Sequence, residues 1–180
     1  MMTMTAFAAG PTTGTTEKMP TIDFDVNKTG SITIHKYEYN GTDGVTGTGA
    51  DNQTPPTGAE PLAGVTFKIT KIAELNDYYG TDAKAFPTVE QAKTMTSIGT
   101  PIVQITDENG EAKFNNLSLG LYLVQETDAP AQITGKVGDF LVSIPMTNAD
   151  EDDWLYDVHV YPKNKSTYGG VTLQKKGQIG

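Results

Sequence analysis

Residues Trp154 to Asn164 read WLYDVHVYPKN, an apolar stretch that ends in a lysine followed directly by an asparagine. Side chains of an extended strand alternate between its two faces. One face therefore carries Trp154, Tyr156, Val158, Val160, Pro162 and Asn164, and the other carries Leu155, Asp157, His159, Tyr161 and Lys163. If the first face covers a core, Asn164 points inward and Lys163 points outward, and the two side chains would have separate functions.

Two other apolar strands each place one charged residue on their apolar face. In SITIHKYEY, Lys36 has the same parity as Ile32 and Ile34. In LYLVQETDAP, Glu126 has the same parity as its apolar neighbours Tyr122 and Val124. Because an unpaired buried charge is costly, we expect Lys36, Glu126 and Asn164 to meet inside the domain.

These three side chains together have a specific chemistry. Burial disfavours the charged forms of lysine and glutamate, so Lys36 can become a free amine. That amine can attack the side-chain carbonyl of Asn164, while Glu126 polarises the carbonyl and shuttles protons. Ammonia leaves, and an amide cross-link joins the first strand to the last. Two non-covalent alternatives remain open: Lys36 extends its amine past the sheet edge, or it forms a simple salt bridge with Glu126.

The remaining segments predict an all-β, Ig-like β-sandwich with one short inserted helix. Short apolar strands are separated by turn residues, and no alternation of strands and helices is present. The helix is expected within 86–98, where Thr88 precedes Gln91 as a helix start. Residues 101–114 read as strand, Asp-Glu-Asn-Gly turn and returning strand, a hairpin pattern.

Composition divides the chain into three parts and excludes several function classes. Residues 1–29 are rich in Thr, Gly and Pro and predict a flexible N-terminal arm, residues 30–166 form the domain, and residues 167–180 read as a linker with the possible first strand of a following domain. The chain has 13 basic and 22 acidic residues, which argues against a nucleic-acid partner. It has no apolar stretch of membrane-spanning length and no cysteine for disulfides or thiolate metal sites.

Neither a metal nor another cofactor is expected. The acidic run 150–153 is interpreted as a solvated loop, because four consecutive acids cannot converge from one turn. Residues 107–110 resemble the start of a calcium loop, but no glutamate follows at the required spacing. His35 and His159 lie far apart in sequence, which gives little support for a metal site or a hydrolase.

Two motifs in this order resemble a known family. Residues 120–130, GLYLVQETDAP, resemble the E box of collagen-adhesin B-type (Cna B-type) domains, G-x-Y-x-L-x-E-T-x-A-P, with Val124 at the leucine position. WLYDVHVYPKN is similar to the pilin motif of sortase-assembled backbone pilins of Gram-positive bacteria, W-x-x-x-V-x-V-Y-P-K. The matching residues are Trp154, Val158, Val160, Tyr161, Pro162 and Lys163.

The resemblance implies a structural role in a covalent polymer. It implies that Lys163 accepts the C-terminal threonine of the next subunit from a pilus-specific sortase, with Glu126 as the E-box glutamate and an internal bond between Lys36 and Asn164. The partners would be that sortase and neighbouring pilin subunits on an extracellular, cell-wall-anchored pilus. The LPxTG-like sorting signal of such pilins is absent from these residues, as expected for an N-terminal fragment.

A rival interpretation is a host-binding adhesin module of the same fold. The loop 41–61 and the insertion 75–100 could present contacts to host surface molecules. The intact Tyr161-Pro162-Lys163 sequence favours the pilin, because a monomeric adhesin does not need it. An enzyme is the third class, and the sequence offers no catalytic constellation beyond the single self-directed reaction.

Overall fold

A computed structural model describes residues 22, 27–38, 48–51, 54–55, 57–79, 83–131, 133, 135–151 and 153–162. Most of the predicted N-terminal arm and all of the predicted segment 167–180 lie outside these residues. Lys163 and Asn164 lie outside them as well. Ile22 is described, and it is buried in the hydrophobic core.

The described part of the chain is built mainly from short strands. The strands are β1 (Thr29–His35), β2 (Tyr37–Glu38), β3 (Glu60–Pro61), β4 (Thr66–Ala73), β5 (Ile102–Ile105), β6 (Glu111–Ser118), β7 (Gly120–Asp128), β8 (Phe140–Ile144), β9 (Met146–Thr147), β10 (Trp154–Leu155) and β11 (Asp157–Val160).

Two sheets form the two layers. The smaller sheet has the order β11-β1-β6, and the larger has the order β5-β4-β7-β8. Apolar residues of both sheets, such as Ile32 and Phe114 from one and Phe67 and Val124 from the other, belong to a single buried core. This arrangement confirms the predicted β-sandwich.

The first and last strands of the sandwich are neighbours. β1 pairs with β11 in parallel, with Ile32 beside Val158 and Ile34 beside Val160, while its other edge pairs antiparallel with β6. Residues far apart in sequence therefore lie side by side in the smaller sheet. This parallel pair brings His35, the last residue of β1, close to His159 on β11.

The predicted helix is present as one short turn, α1 (Val89–Ala92). The Gln91 backbone N–H donates to Thr88 Oγ1 at 3.1 Å, and the Thr88 N–H donates to Gln91 Oε1 at 2.9 Å. These two bonds form a capping box, which explains why the helix begins where the sequence indicated. A 3-10 turn at Leu75–Asp77, which the sequence pattern did not indicate, opens the same insertion.

The predicted hairpin over residues 101–114 is wrong in its pairing. The turn itself forms, because Asp107 Oδ1 accepts the backbone N–H groups of Asn109 and Glu111, each at 2.9 Å. However, β5 pairs with β4, whereas β6 pairs with β1 in the other sheet. The turn residues specify a reversal of direction, but they do not specify the partner strand.

Among the described residues, no helix is long and apolar enough to cross a membrane.

Candidate functional site

Lys36 and Glu126 meet in the interior between the two sheets. Lys36 follows the last residue of β1, and Glu126 lies on β7 of the opposite sheet. Lys36 Nζ lies 3.5 Å from Glu126 Oε1, and the two side chains are 0% and 1% exposed. The alternative in which Lys36 extends its amine past the sheet edge is therefore wrong.

The electrostatics of this pair favour a more nucleophilic amine. Burial lowers the pKa of Lys36, and the opposing attraction and hydrogen bond of Glu126 only partly offset that effect. Glu126 Oε1 accepts a hydrogen bond from the Val137 backbone N–H at 3.3 Å. The other oxygen, Oε2, is buried and has no hydrogen-bond partner within the described part of the chain.

The backbone of Lys36 is held by two hydrogen bonds, one to the turn that precedes β6 and one to the residue that follows β3. The Lys36 N–H donates to the Gly110 carbonyl at 2.7 Å, and the Lys36 carbonyl accepts the Leu62 N–H at 3.0 Å. Gly110 has φ +76°, and a Cβ at this position would collide with the Lys36 carbonyl oxygen. A glycine is therefore required here for two reasons, the left-handed backbone and the close approach of the Lys36 backbone.

The predicted parity of WLYDVHVYPKN agrees with the structure as far as residue 162. Trp154, Val158, Val160 and Pro162 are buried, and Tyr156 is half-buried. On the other face, Asp157 is exposed, and Leu155, His159 and Tyr161 are half-buried. Within this stretch, the Trp154 ring meets the Tyr79 ring edge-on at 5.4 Å.

The two histidines are adjacent, contrary to the expectation from their sequence separation. His35 Nε2 lies 2.9 Å from His159 Nδ1, because β1 and β11 pair in parallel with Thr33 beside His159. Asp51 joins them, with Oδ1 at 3.9 Å from the same His35 nitrogen and 3.7 Å from the same His159 nitrogen. The sequence does place both histidines on the outward faces of their strands. Parity does not reveal which strands pair, so it could not predict that the two side chains meet.

The structure thus brings Lys36 and Glu126 together and leaves Asn164 and Lys163 outside the described residues. The model of the family described as "Gram-positive pilin subunit D1, N-terminal domain" matches residues 27–165. The chain belongs to this family. In this pilin domain, residues 120–128 of the stretch that resembles the E box form β7, and residues 154–160 of the stretch that resembles the pilin motif include β10 and β11.

Relatives of the pilin domain are fimbrial subunits and a major pilin. Fimbrial subunit type 1 of Actinomyces viscosus is 38% identical over 159 residues, which are 86% of this chain and 29% of that protein. Fimbrial subunit type 2 of Actinomyces naeslundii is 32% identical, over 88% of this chain and 33% of that protein. The full-length major pilin SpaD of Corynebacterium diphtheriae is 40% identical with a TM-score of 0.63, over 80% of this chain and 33% of SpaD. The chain spans about a third of the length of these relatives.

Proposed function

We propose that this domain is the N-terminal part of a structural subunit of an extracellular, cell-wall-anchored pilus that a sortase polymerises covalently. The observation that carries the proposal is the complete pilin motif, in which Val158, Val160 and Pro162 anchor the strand in the core. From strand parity we expect Lys163 to point outward, where a sortase acyl-enzyme could reach its amine. The similarity to proteins named as fimbrial subunits and as a major pilin supports the same role.

In this role, Lys163 is the acceptor of the intersubunit bond. Its amine attacks the acyl carbon of the threonine held by the sortase, the thioester breaks, and a new amide joins the two subunits. The neighbouring pilin subunits and the pilus-specific sortase are therefore the partners. The domain itself is a substrate, and the sortase performs the catalysis.

The second part of the proposal is an internal amide between Lys36 and Asn164. The Lys36 nitrogen bonds to the Asn164 side-chain carbon, the bond from that carbon to the amide nitrogen breaks, and ammonia leaves. Glu126 relays the proton from the attacking amine to the departing nitrogen. The lowered pKa of Lys36 and its 3.5 Å distance from Glu126 Oε1 support this chemistry.

Two further observations support Asn164 as the electrophile. Ile34 lies beside Val160 in the parallel pair, so an extension of this register by two residues brings Lys36 level with Pro162. If the alternation continues, we expect Asn164 on the same inward side as Pro162. The buried Oε2 of Glu126, with no partner within the described residues, is suited to face the asparagine amide.

Replacement of the acceptor lysine tests the pilus assignment directly. In cells that express the full-length pilin, Lys163→Ala should abolish the high-mass ladders while the domain keeps its circular dichroism spectrum. Lys84→Ala is the matched control, because the Lys84 side chain is 68% exposed and lies outside the motif. Ladders of normal intensity in the Lys163→Ala strain would overturn the assignment.

A further inference from the structure

Both histidines of the chain meet at one place on the outer face of the smaller sheet. Asp51 lies beside them. His35 Nε2 is 2.9 Å from His159 Nδ1, and Asp51 Oδ1 is 3.7 Å from His159 Nδ1 and 3.9 Å from His35 Nε2. In a tetrahedral zinc site with bonds of about 2.0–2.2 Å, neighbouring ligand atoms lie roughly 3.4 Å apart. The three separations bracket that value, so small side-chain adjustments would give them a common metal ion.

The cluster is accessible and its backbone is already held in place. His35 is buried, His159 is half-buried and Asp51 is exposed, so an ion can enter from solvent. The segment that carries Asp51 is fixed to β11, because the His159 backbone N–H donates to the Gly49 carbonyl at 2.7 Å. The third ligand is thereby held close to the two histidines.

Neighbouring side chains pack around the two histidines. Glu111 Oε2 lies 4.0 Å from His35 Nδ1, the ring nitrogen that faces away from His159. The Tyr161 hydroxyl donates to Asp51 Oδ1 at 3.2 Å, and the Tyr161 ring stacks on His35 with centroids 4.4 Å apart.

We propose that His35, His159 and Asp51 form a binding site for a divalent transition metal of borderline softness, with Zn²⁺ as its representative. Two imidazoles and one carboxylate are ligands that such ions accept, and solvent would complete the coordination. The ion would join β1, β11 and the segment 48–51 on the face from which Tyr161 of the pilin motif projects. The site is independent of the sortase linkage and of the internal amide.

Titration calorimetry of the untagged, chelator-treated chain with Zn²⁺ tests the proposal. We expect one ion per chain, and at least about a tenfold loss of affinity in His159→Gln and in Asp51→Asn, since each removes a direct ligand. Co²⁺ should give visible absorption bands of a tetrahedral site in the parent chain and lose them in both variants. Asp51 is 67% exposed, so its replacement should leave the fold intact and keeps the test valid if the histidine variant does not fold.

Asp157→Asn is the matched control, because Asp157 lies on the same strand with the same outward parity but bonds to Ser31 instead. This variant should bind Zn²⁺ as the parent chain does. Absence of stoichiometric binding by the parent chain would overturn the proposal. Equal binding by the parent chain, His159→Gln and Asp51→Asn would also overturn it, since the ion would then be held elsewhere.

Discussion

Lys36 Nζ, on the residue that directly follows β1, lies 3.5 Å from Oε1 of Glu126, which lies on β7 of the opposite sheet. Both side chains are removed from solvent, at 0% and 1% exposure. A buried ion pair is often no more stable than an apolar pair of the same volume, because both charges lose their hydration. A simple salt bridge would therefore add little stability here, and the predictions below test the proposed internal amide against it.

Removal of the glutamate should leave the internal amide unformed. We expect the intact mass of Glu126→Ala to show no loss of ammonia, whereas the mass of the parent chain should be about 17 Da below that of its sequence. The variant should also lose stability on the order of 4 kcal/mol, by analogy with a disulfide that closes a long loop, and its unfolding temperature should fall. Mass spectrometry and thermal unfolding measure the two effects.

Glu74→Ala is the control for this variant, because the Glu74 side chain is 57% exposed and pairs with Lys71 at the surface. It should retain the mass of the cross-linked form. If Glu126→Ala still lacked one ammonia, Glu126 would not be the proton shuttle of the reaction.

Gly110 should be more sensitive to substitution than another glycine with the same backbone geometry. Gly110 and Gly58 have φ values of +76° and +88°, so alanine adds similar backbone strain at both, about 1 kcal/mol. Only at Gly110 does the new Cβ collide with the Lys36 carbonyl, whereas nothing lies within 4 Å at Gly58. Chemical denaturation should show a clearly larger loss of unfolding free energy for Gly110→Ala than for Gly58→Ala. Mass spectrometry should show a smaller cross-linked fraction in Gly110→Ala than in Gly58→Ala. Equal losses in the two variants would mean that Gly110 does not position Lys36.

Trp154 should act as a structural anchor of the pilin motif. It is the only tryptophan of the chain, it is 7% exposed, and its ring meets Tyr79 edge-on. Trp154→Ala should cost about 3–5 kcal/mol of unfolding free energy by leaving a cavity, and Trp154→Phe should cost less because an aromatic ring is retained. Urea denaturation, monitored by circular dichroism, compares the unfolding free energies of the two variants. An alanine variant as stable as the phenylalanine variant would show that the ring does not anchor the strand.

Strand parity was sufficient to find the buried pair from sequence. Lys36 follows Ile32 and Ile34 with a period of two, and Glu126 follows Val124 in the same way, so their burial could be predicted without knowing the strand order. The helix start was equally local, because Thr88 and Gln91 form their capping box within four residues. Predictions of this kind depend only on neighbouring residues in the chain.

Strand pairing could not be predicted in the same way. The turn at 107–110 looked like the tip of a hairpin, yet the chain crosses there from the larger sheet to the smaller one. For the same reason the contact between His35 and His159 was missed, since it depends on the parallel pairing of the first and last strands. Asp51 carried no periodic signal at all, because it lies in a segment rich in Gly and Thr. Long-range pairing is determined by the packing of the whole sandwich.

The intact mass of the purified chain, followed by peptide mapping, tests the central claim most directly. We predict a mass about 17 Da below that of the sequence, together with one branched peptide in which the strand containing Lys36 is linked to the segment containing Asn164. A full mass with separate Lys36 and Asn164 peptides would contradict the claim, and Lys36 and Glu126 would then form only a buried ion pair.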